Sequence, residues 1–485
     1  SGIVSLNGQT LTEGVDYTAT YTNNTNLTTV TSKATLVSIT GAGRYSGTLK
    51  VNKDFDIVQG DLANCTIAPI ADQWYTGTAL TPTITVKNSS GKTLSLNKDY
   101  TVSYRNNEGA GTGFVKISAV EDGNYTGSLE AAFTIYATPT SLTGSGTEAD
   151  PYLIGSAEDL QFVSLAINGG TAAAEGKTAY ATAFYKVTAS FTATSVTPIG
   201  TNTKYFNGTI DGGGNTITLA LSDTSNNQAL VSYANDAMFE NLTIDGSVEV
   251  TGSYAAAFVA QTFTGNLTFK DCTNNASVSA NNYAAGFVAY ANGTPTTSFE
   301  DCVNNGAISA TGTAGGLVSY GANTAIKNCA NTAEIHVTRN YAAGLVAIAG
   351  GTLAIDSAYN SGKVVSDTSG AVGGLAGCAK VATTIYDSYN TGAIEITTQA
   401  QNNPAGGILG QTQNYSGNVI VAVIAGCYNT GTITAPEANA QGAFVGYCYN
   451  QRGSLDVSVD NSYWLEGSSA KAVGASSEKN VIVRD

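Results

Sequence analysis

Residues 269–278 read FKDCTNNASV, and the same phrase returns along two thirds of the chain. It stands as FENLTIDGSV from Phe239, FEDCVNNGAI from Phe299, IKNCANTAEI from Ile326, IDSAYNSGKV from Ile355, IYDSYNTGAI from Ile385 and IAGCYNTGTI from Ile424. Start to start, the copies lie 30, 30, 27, 29, 30 and 39 residues apart. A second phrase follows each at a loop's distance: AAFVA, AGFVA, GGLVS, AGLVA, GGLAG, GGILG and GAFVG, centred on Phe258, Phe287, Leu317, Leu345, Leu375, Ile408 and Phe444. A fixed period of this size marks a stacked repeat.

Each unit offers two short apolar strands between Gly, Asn and Ser/Thr, and none has the run of 3.6 periodicity that a helix needs. A parallel β-solenoid satisfies this pattern, each coil lying on the last at roughly 4.8 Å. Equivalent side chains then form columns. Phe239, Phe269, Phe299, Ile326, Ile355, Ile385 and Ile424 make one; Val248, Val278, Ile308, Ile335, Val364, Ile394 and Ile433 make another. A slot of mostly small residues holds Leu242, Cys272, Cys302, Cys329, Ala358, Ser388 and Cys427, and two positions on stand Asn274, Asn304, Asn331, Asn360, Asn390 and Asn429. These read as a tight corner and a bend whose amides bond the backbone or one another. The glycines ahead of each second strand are expected to supply positive φ where the coil turns.

The phrases GGLVSY from Gly315 and GGLAG from Gly373 resemble the GLUG-type motif of bacterial surface and secreted proteins. GSGTEADPYLIGSAEDLQFVSLAINGG from Gly144, FNGTIDGGGNTITL from Phe206 and SYWLEGSSAKAVG from Ser462 resemble the same proteins. The resemblance implies a right-handed parallel β-helix over residues 138–485, in a bacterial extracellular or cell-surface setting. Such modules occur in adhesins and enzymes alike. Residues 157–168 carry Leu160, Val163, Leu165 and Ile167 behind two acids, the pattern of a short helix covering the first coil. Residues 462–485 should cap the other end, with Trp464 as the lid.

Before Ala137 a different duplication has a period near 80 residues. EGVDYTATYTNN from Glu13 returns as NKDYTVSYRNN from Asn97, GAGRYSGTL from Gly41 as EDGNYTGSL from Glu121, and Phe55 and Ile57 match Phe133 and Ile135. The alternation in YTATY and YTVSY is that of half-buried strands. Two small β-sandwich modules are expected, residues 1–58 and 59–137, resembling the Ig-like modules of bacterial surface proteins. Residues 62–85 of the second have no counterpart before Ile3 of the first, which reads as a first module truncated at its start. The fold class is therefore all-β throughout.

Charged residues are 12% of the 485, the net charge is −15, and there is one histidine. The acidity argues against nucleic acid and anionic membrane, which require basic patches. No apolar run approaches the roughly 20 residues of a membrane span. The seven cysteines are expected as buried free thiols, because side chains in register point the same way and do not bridge. A single histidine, His336, leaves little room for a Ser-His-Asp triad or a histidine metal site and reads as a solvent-facing coil residue. Asp211, in IDGGGN, reads as a turn residue. Asp271, Asp301, Asp356 and Asp387 suggest a solvated acidic row, to which Ca²⁺ is a conceivable ligand and the only cofactor considered.

No catalytic constellation emerges, so the chain is expected not to be an enzyme. Binding has the better signal. Among 26 tyrosines, Tyr254, Tyr283, Tyr320, Tyr341, Tyr415 and Tyr447 lie in or beside the segments between strands, and Tyr283, Tyr320, Tyr341 and Tyr415 are the candidate binding residues. The loops 281–283, 339–341, 399–403 and 413–418, where the repeat stops repeating, are the places left for function. The reading is a monomeric adhesin-like protein that binds a glycan or protein ligand through the β-helix, with the Ig-like modules as stalk. A β-helix polysaccharide lyase or hydrolase and a structural spacer stay open as alternatives.

Overall fold

In the computed structural model the repeat closes into a parallel β-solenoid of about ten coils. The described residues are all but 1–3, 26, 29–30, 76, 138, 224–225, 369, 398–402, 416–418, 437–440, 470, 477–480 and 485, with the side chains of 223 and 481–484 also left aside. Two compact units result, Ser1–Ala137 and Thr138–Asp485.

One coil of the larger unit runs through four parallel sheets in turn. Leu267–Lys270 belongs to the first sheet, Thr273–Asn274 and Ser277–Ala280 to the second, Tyr283–Ala285 to the third and Val288–Ala291 to the fourth, before Thr296–Glu300 returns to the first. The apolar columns are in register. Phe239 lies beside Phe269, then Phe299, Ile326, Ile355, Ile385 and Ile424. Val248 begins the second column, which runs through Val278, Ile308, Ile335, Val364 and Ile394 to Ile433. Phe239 and Phe269 stack at 5.1 Å, Phe258 and Phe287 at 4.6 Å, and the two stacks meet edge to face at 5.7 Å between Phe258 and Phe269. The interior is thus filled by interleaved ring ladders, each such pair adding about 1 kcal/mol beyond its buried area.

The corner between the first two sheets explains the small slot. Asn241, Asp271, Asp301, Asn328, Ser357, Asp387 and Asn461 all take φ of 46–55° there, a conformation Asn and Asp tolerate best among residues with a side chain. The next side chain then turns back on the strand it leaves. The Sγ–H of Cys272, Cys302 and Cys329 donates to the carbonyls of Lys270, Glu300 and Lys327 at 3.1–3.3 Å, and Ser388 Oγ donates to Tyr386 O at 2.6 Å. The slot's own N–H is met from the following coil: Cys302 N–H donates to Cys329 Sγ and Ala358 N–H to Ser388 Oγ. A hydroxyl or thiol is what this corner uses in five of its seven coils, with Leu242 and Ala358 filling it without one.

Two residues later the asparagines form a directed ladder. Each Nδ2 donates to the Oδ1 of the next coil, from Asn274 through Asn304, Asn331, Asn360 and Asn390 to Asn429, at 2.6–2.8 Å. The second hydrogen of each amide goes to the carbonyl two residues on, as from Asn304 to Gly306 O at 3.0 Å. All six are buried without a lost bond, and in a low-dielectric interior such a chain is self-reinforcing.

The glycines ahead of the second strand correct the expectation of positive φ. Gly286, Gly316, Gly344, Gly374 and Gly407 are not among the residues with that conformation. They are glycines because there is no room: a Cβ on Gly316 would stand 2.0 Å from Gly344 O, and one on Gly374 2.5 Å from Asn390 Cγ.

The entry helix α1 (Ala157–Gly169) has Ser156 at its N-cap accepting from Asp159 N–H, and Gly170 in the left-handed region at its end. Leu160, Val163 and Ile167 are buried as expected, but Leu165 is exposed, and Phe162 and Ala166 fill the covered face instead. Gln161 and Ser164 share that face because a loop lies against it: Gln161 bonds Thr197, Ser164 bonds Pro198 O, and Asn168 bonds both Pro198 O and Gly200 N–H. At the far end Trp464 is no buried lid. It takes the next position of the asparagine column, beside Asn429, and stays partly exposed against Phe444.

The smaller unit contains two related three-stranded antiparallel meanders, the second of which gains a short parallel strand. Tyr17–Thr22, Ala34–Gly41 and Thr48–Phe55 pair in that order, as do Tyr100–Arg105, Gly111–Ala119 and Ser128–Tyr136, the last also pairing with Gln73–Trp74. Small sheets of this kind are consistent with Ig-like modules.

Candidate functional site

The third and fourth sheets of the solenoid fold inward. Tyr283 opens one strand and Tyr290 lies in the next, with Gly286-Phe287 between them. Phe287 packs against Phe269 and Phe299 in the interior at 5.6–5.7 Å, while the rings of Tyr283 and Tyr290 touch at 5.1 Å. The chain therefore runs into the core and back out, and the tyrosines close the mouth of the infold. Its floor is alanine: Ala229, Ala256, Ala260 and Ala289 are buried, with Tyr254 and Tyr283 packed on them. In later coils even alanine is too large, since a Cβ on Gly377 would stand 3.0 Å from Ala342 O of the facing strand and one on Gly410 2.8 Å from Val372 O.

Register builds the mouth into a stripe. Tyr254 pairs with Tyr283 in the third sheet, and Tyr290 with Tyr320 in the fourth. Tyr254 stacks on Tyr283 at 5.4 Å, Tyr290 on Tyr320 at 4.9 Å, and Tyr283 meets Tyr320 edge to face at 6.5 Å. Burial, together with the neighbouring phenols, raises the pKa of Tyr283 and Tyr290, so both hydroxyls keep their protons and can donate. None of the four hydroxyls is a buried polar atom without a partner. The stripe thus offers ring edges and hydroxyls above an apolar floor.

A second tyrosine group lies in later coils. Tyr341 is pushed up to about 12, first by burial and then by Cys378 and Tyr415. Gln413 Nε2 donates to Tyr415 Oη at 2.9 Å, and Tyr415, Tyr449 and Tyr447 follow at 5.7 and 5.9 Å. The structure therefore brings Tyr283 to Tyr320, and Tyr341 to Tyr415, as two groups. Of the loops singled out by sequence, 399–402 and 416–418 lie outside the described residues.

One aromatic array escaped the sequence reading. Tyr359, Tyr389 and Tyr428 stack in parallel at 5.0 and 4.5 Å on the outer face of the second sheet, and the exposed Tyr463 pairs next to Tyr428. The signal was present in SAYN, DSYN and GCYN, where Tyr precedes the inward Asn and so must face out. Its ring faces are spent on one another.

The ionisable candidates are placed as follows. Asp211 accepts from Gly213 N–H, Asn241 Nδ2 and Lys186 Nζ, which makes it the anchor of a turn. The acidic row is broken: Asp271, Asp301 and Asp387 hold the corner, but Asp356 lies in the strand beside Lys327 and Tyr386, and Ser357 takes the corner instead. Among the described residues no three His, Cys, Asp or Glu side chains gather as a metal would require. His336 is a strand residue facing outward, its Nε2 3.0 Å from Asp367 Oδ1. None of the seven cysteines is in a disulfide, Cys65 being half-buried and the other six buried.

No family model matches the chain, and no curated protein matches it. Solved structures are similar to it, two of them as follows. One, described as a "putative immunoglobulin A1 protease" from Bacteroides ovatus, is 14% identical with a TM-score of 0.41, covering 66% of this chain and 86% of that one. The other, named IgA1 protease, is 14% identical with a TM-score of 0.37, covering 83% of this chain and 29% of that one. The expectation that the chain is not an enzyme is corrected by these names, both of which denote enzymes. At this identity the likeness is one of fold, and the proteolytic activity stays with the neighbours.

Proposed function

We propose that the chain is an adhesin-like protein of the bacterial cell surface or exterior, which holds a glycan or protein ligand along the infold mouth of its β-helix. The observation that supports this reading is the stripe of Tyr254, Tyr283, Tyr290 and Tyr320, four contacting rings of which Tyr254 and Tyr283 rest on an alanine floor. Tyrosine supplies large, rigid contact area with a polar tip at small entropic cost, which suits recognition of uncharged polar surfaces. On this reading the repeats are of the GLUG type, residues 138–485 are the binding domain, and residues 1–58 and 59–137 are Ig-like spacers. On this reading Tyr341 and Tyr415 form a second point of contact in later coils.

The test is a glycan array and a panel of extracellular-matrix proteins probed with the whole chain. A saturable ligand should lose at least tenfold in affinity when Tyr283 and Tyr320 are both replaced by alanine, and should be indifferent to Tyr389→Ala on the other face. A ligand held equally well by the double variant would end this reading.

A further inference from the structure

Glycine follows asparagine at five places in the chain: Asn7-Gly8, Asn168-Gly169, Asn207-Gly208, Asn292-Gly293 and Asn305-Gly306. A glycine nitrogen is the least crowded nucleophile a main chain offers, because no Cβ stands beside it. The fold treats the five differently. Asn168, in helix α1, donates to Ser164 Oγ and Pro198 O and accepts from Gly200 N–H. The Asn207 amide donates to the carbonyls of Phe206 and Asn235. Asn305 donates to Asn275 Oδ1 and accepts from Thr332 Oγ1, while Gly306 N–H is engaged by Asn274 O. Asn7 is exposed but is held at φ 49° in the turn between Ser5–Leu6 and Gln9–Thr10.

Asn292 is the exception. It is exposed, in the connection between strands Val288–Ala291 and Thr296–Glu300. Gly293 N–H donates to Asn292 Oδ1 at 2.9 Å, so the side-chain amide of one residue is already folded over the nitrogen of the next. Gly293 has φ of 98°, and a Cβ there would stand 2.5 Å from Phe263 O, so the position is kept for glycine. The same contact occurs at Asp245, whose Oδ1 accepts from Gly246 N–H at 2.7 Å. That pair lies within strand Thr243–Val250, registered on Thr218 and Leu219, and a carboxylate resists attack by a nitrogen where an amide does not.

We propose that Asn292-Gly293 is a self-modifying site, at which the folded chain converts an amide into a carboxylate without an enzyme. With Oδ1 at 2.9 Å from the Gly293 nitrogen, the carbon that bears it is within reach of attack. The Gly293 N–Cγ bond forms, the Cγ–Nδ2 bond breaks, and ammonia leaves with the proton that Gly293 gave up. The resulting succinimide takes up one water and opens to aspartate or to an isoaspartyl linkage, with no change of oxidation state. The consequence is local charge. From Thr251 to Ile326 the charged residues are Lys270, Asp271, Glu300 and Asp301, all at the end of the first sheet or at its corner. Asn292 stands two residues after Tyr290, so the new carboxylate is the first charge that this span places beside the tyrosine stripe.

The experiment holds the folded whole chain at mildly alkaline pH and follows every Asn-Gly peptide by mass spectrometry over time. Asn292 is expected to convert at least tenfold faster than Asn7, Asn168, Asn207 and Asn305, with aspartate and isoaspartate as products and Asp245 unchanged. Hydroxylamine, which cleaves a succinimide, should cut the native chain between residues 292 and 293. Asn292→Gln, whose longer side chain must close a larger ring, should silence both signals with an unchanged melting curve. In denaturant the five pairs should react at similar rates, since the fold no longer distinguishes them. The proposal falls if no product accumulates at Asn292, or if another Asn-Gly pair of the native chain converts as fast. It falls as well if the same ranking persists in denaturant, which would give the preference to sequence neighbours and not to the fold.

Discussion

Asn331 donates from Nδ2 to Oδ1 of Asn360 at 2.7 Å, while its own Oδ1 accepts from Asn304 at 2.6 Å. Removing the middle of such a chain strands a donor on one side and an acceptor on the other, both buried. Asn331→Ala should therefore cost about 3 kcal/mol. Asn305, whose Nδ2 reaches Asn275 Oδ1 at the exposed surface, is the comparison, and Asn305→Ala should cost less than about 0.5 kcal/mol. Denaturant unfolding of the two variants measures both, and equal losses would show that the ladder has no special weight.

The thiols should be silent in the folded chain. Burial pushes Cys378 and Cys448 up to about 12 and Cys427 to about 11, and burial also raises Cys65, though that side chain reaches solvent. The hydrogen bond shared by Cys302 and Cys329 raises the first and lowers the second, but both are buried out of a reagent's reach. With a disulfide-exchange reagent at mildly alkaline pH, at most Cys65 should react before unfolding, and all seven afterwards. A second fast thiol in the native chain would contradict the corner geometry.

Lys186 and Asp211 are joined at 2.7 Å across two coils. Burial works to raise Asp211, but the Lys186 bond, the Gly213 N–H, Asn241 and the Lys186 charge together hold it below the usual carboxylate range. Its bond to Asp211 raises Lys186. A lowered carboxylate contributes stability that is full above its unfolded value and is lost as pH falls through the folded one. A raised amine contributes stability that is full below its unfolded value and is lost as pH rises through the folded one. The pair is partly exposed, so Asp211→Asn should cost only about 1 kcal/mol at neutral pH. Melting curves against pH should show that difference closing in acid.

Gly373 has backbone on every side: a Cβ there would stand 1.8 Å from Ala376 O. Gly373→Ala should destabilise the solenoid by about 2 kcal/mol or more, through displaced strands in the infold. Gly109 has open space and an ordinary φ, and Gly109→Ala should be neutral or slightly stabilising. Thermal melts decide between them.

The parallel columns were legible because each coil repeats the same demand, so Phe239 through Ile424 announce themselves by spacing alone. The reasons behind conserved-looking slots were harder to read. A glycine that avoids a clash and a glycine that turns the chain look the same in sequence, which is why Gly316 and Gly374 were assigned the wrong cause. Asp356 and Asp387 differ by one place in their coils, and one place in a strand reverses the face. Leu165 follows the helix pattern but meets water, because Gln161 and Ser164 are needed by the loop at Thr197–Pro198. Tyr359, Tyr389 and Tyr428 were overlooked beside the asparagines they precede. The pairing of Tyr283 with Tyr290 depends on a strand folding inward, which no local pattern reveals.

The interior rings also change character along the axis. Phe239, Phe269 and Phe299 meet Phe258 and Phe287, whereas the columns continue inside as Ile326, Ile355, Ile385 and Ile424 and as Leu317, Leu345, Leu375 and Ile408 before Phe444. In a stack whose backbone bonds are alike in every coil, a chain that began closing one coil too early would satisfy nearly all of them. It would also set isoleucine against phenylalanine and leave a void at the boundary. The switch from aromatic to aliphatic filling works as a registration mark, telling each coil which storey of the tower it occupies.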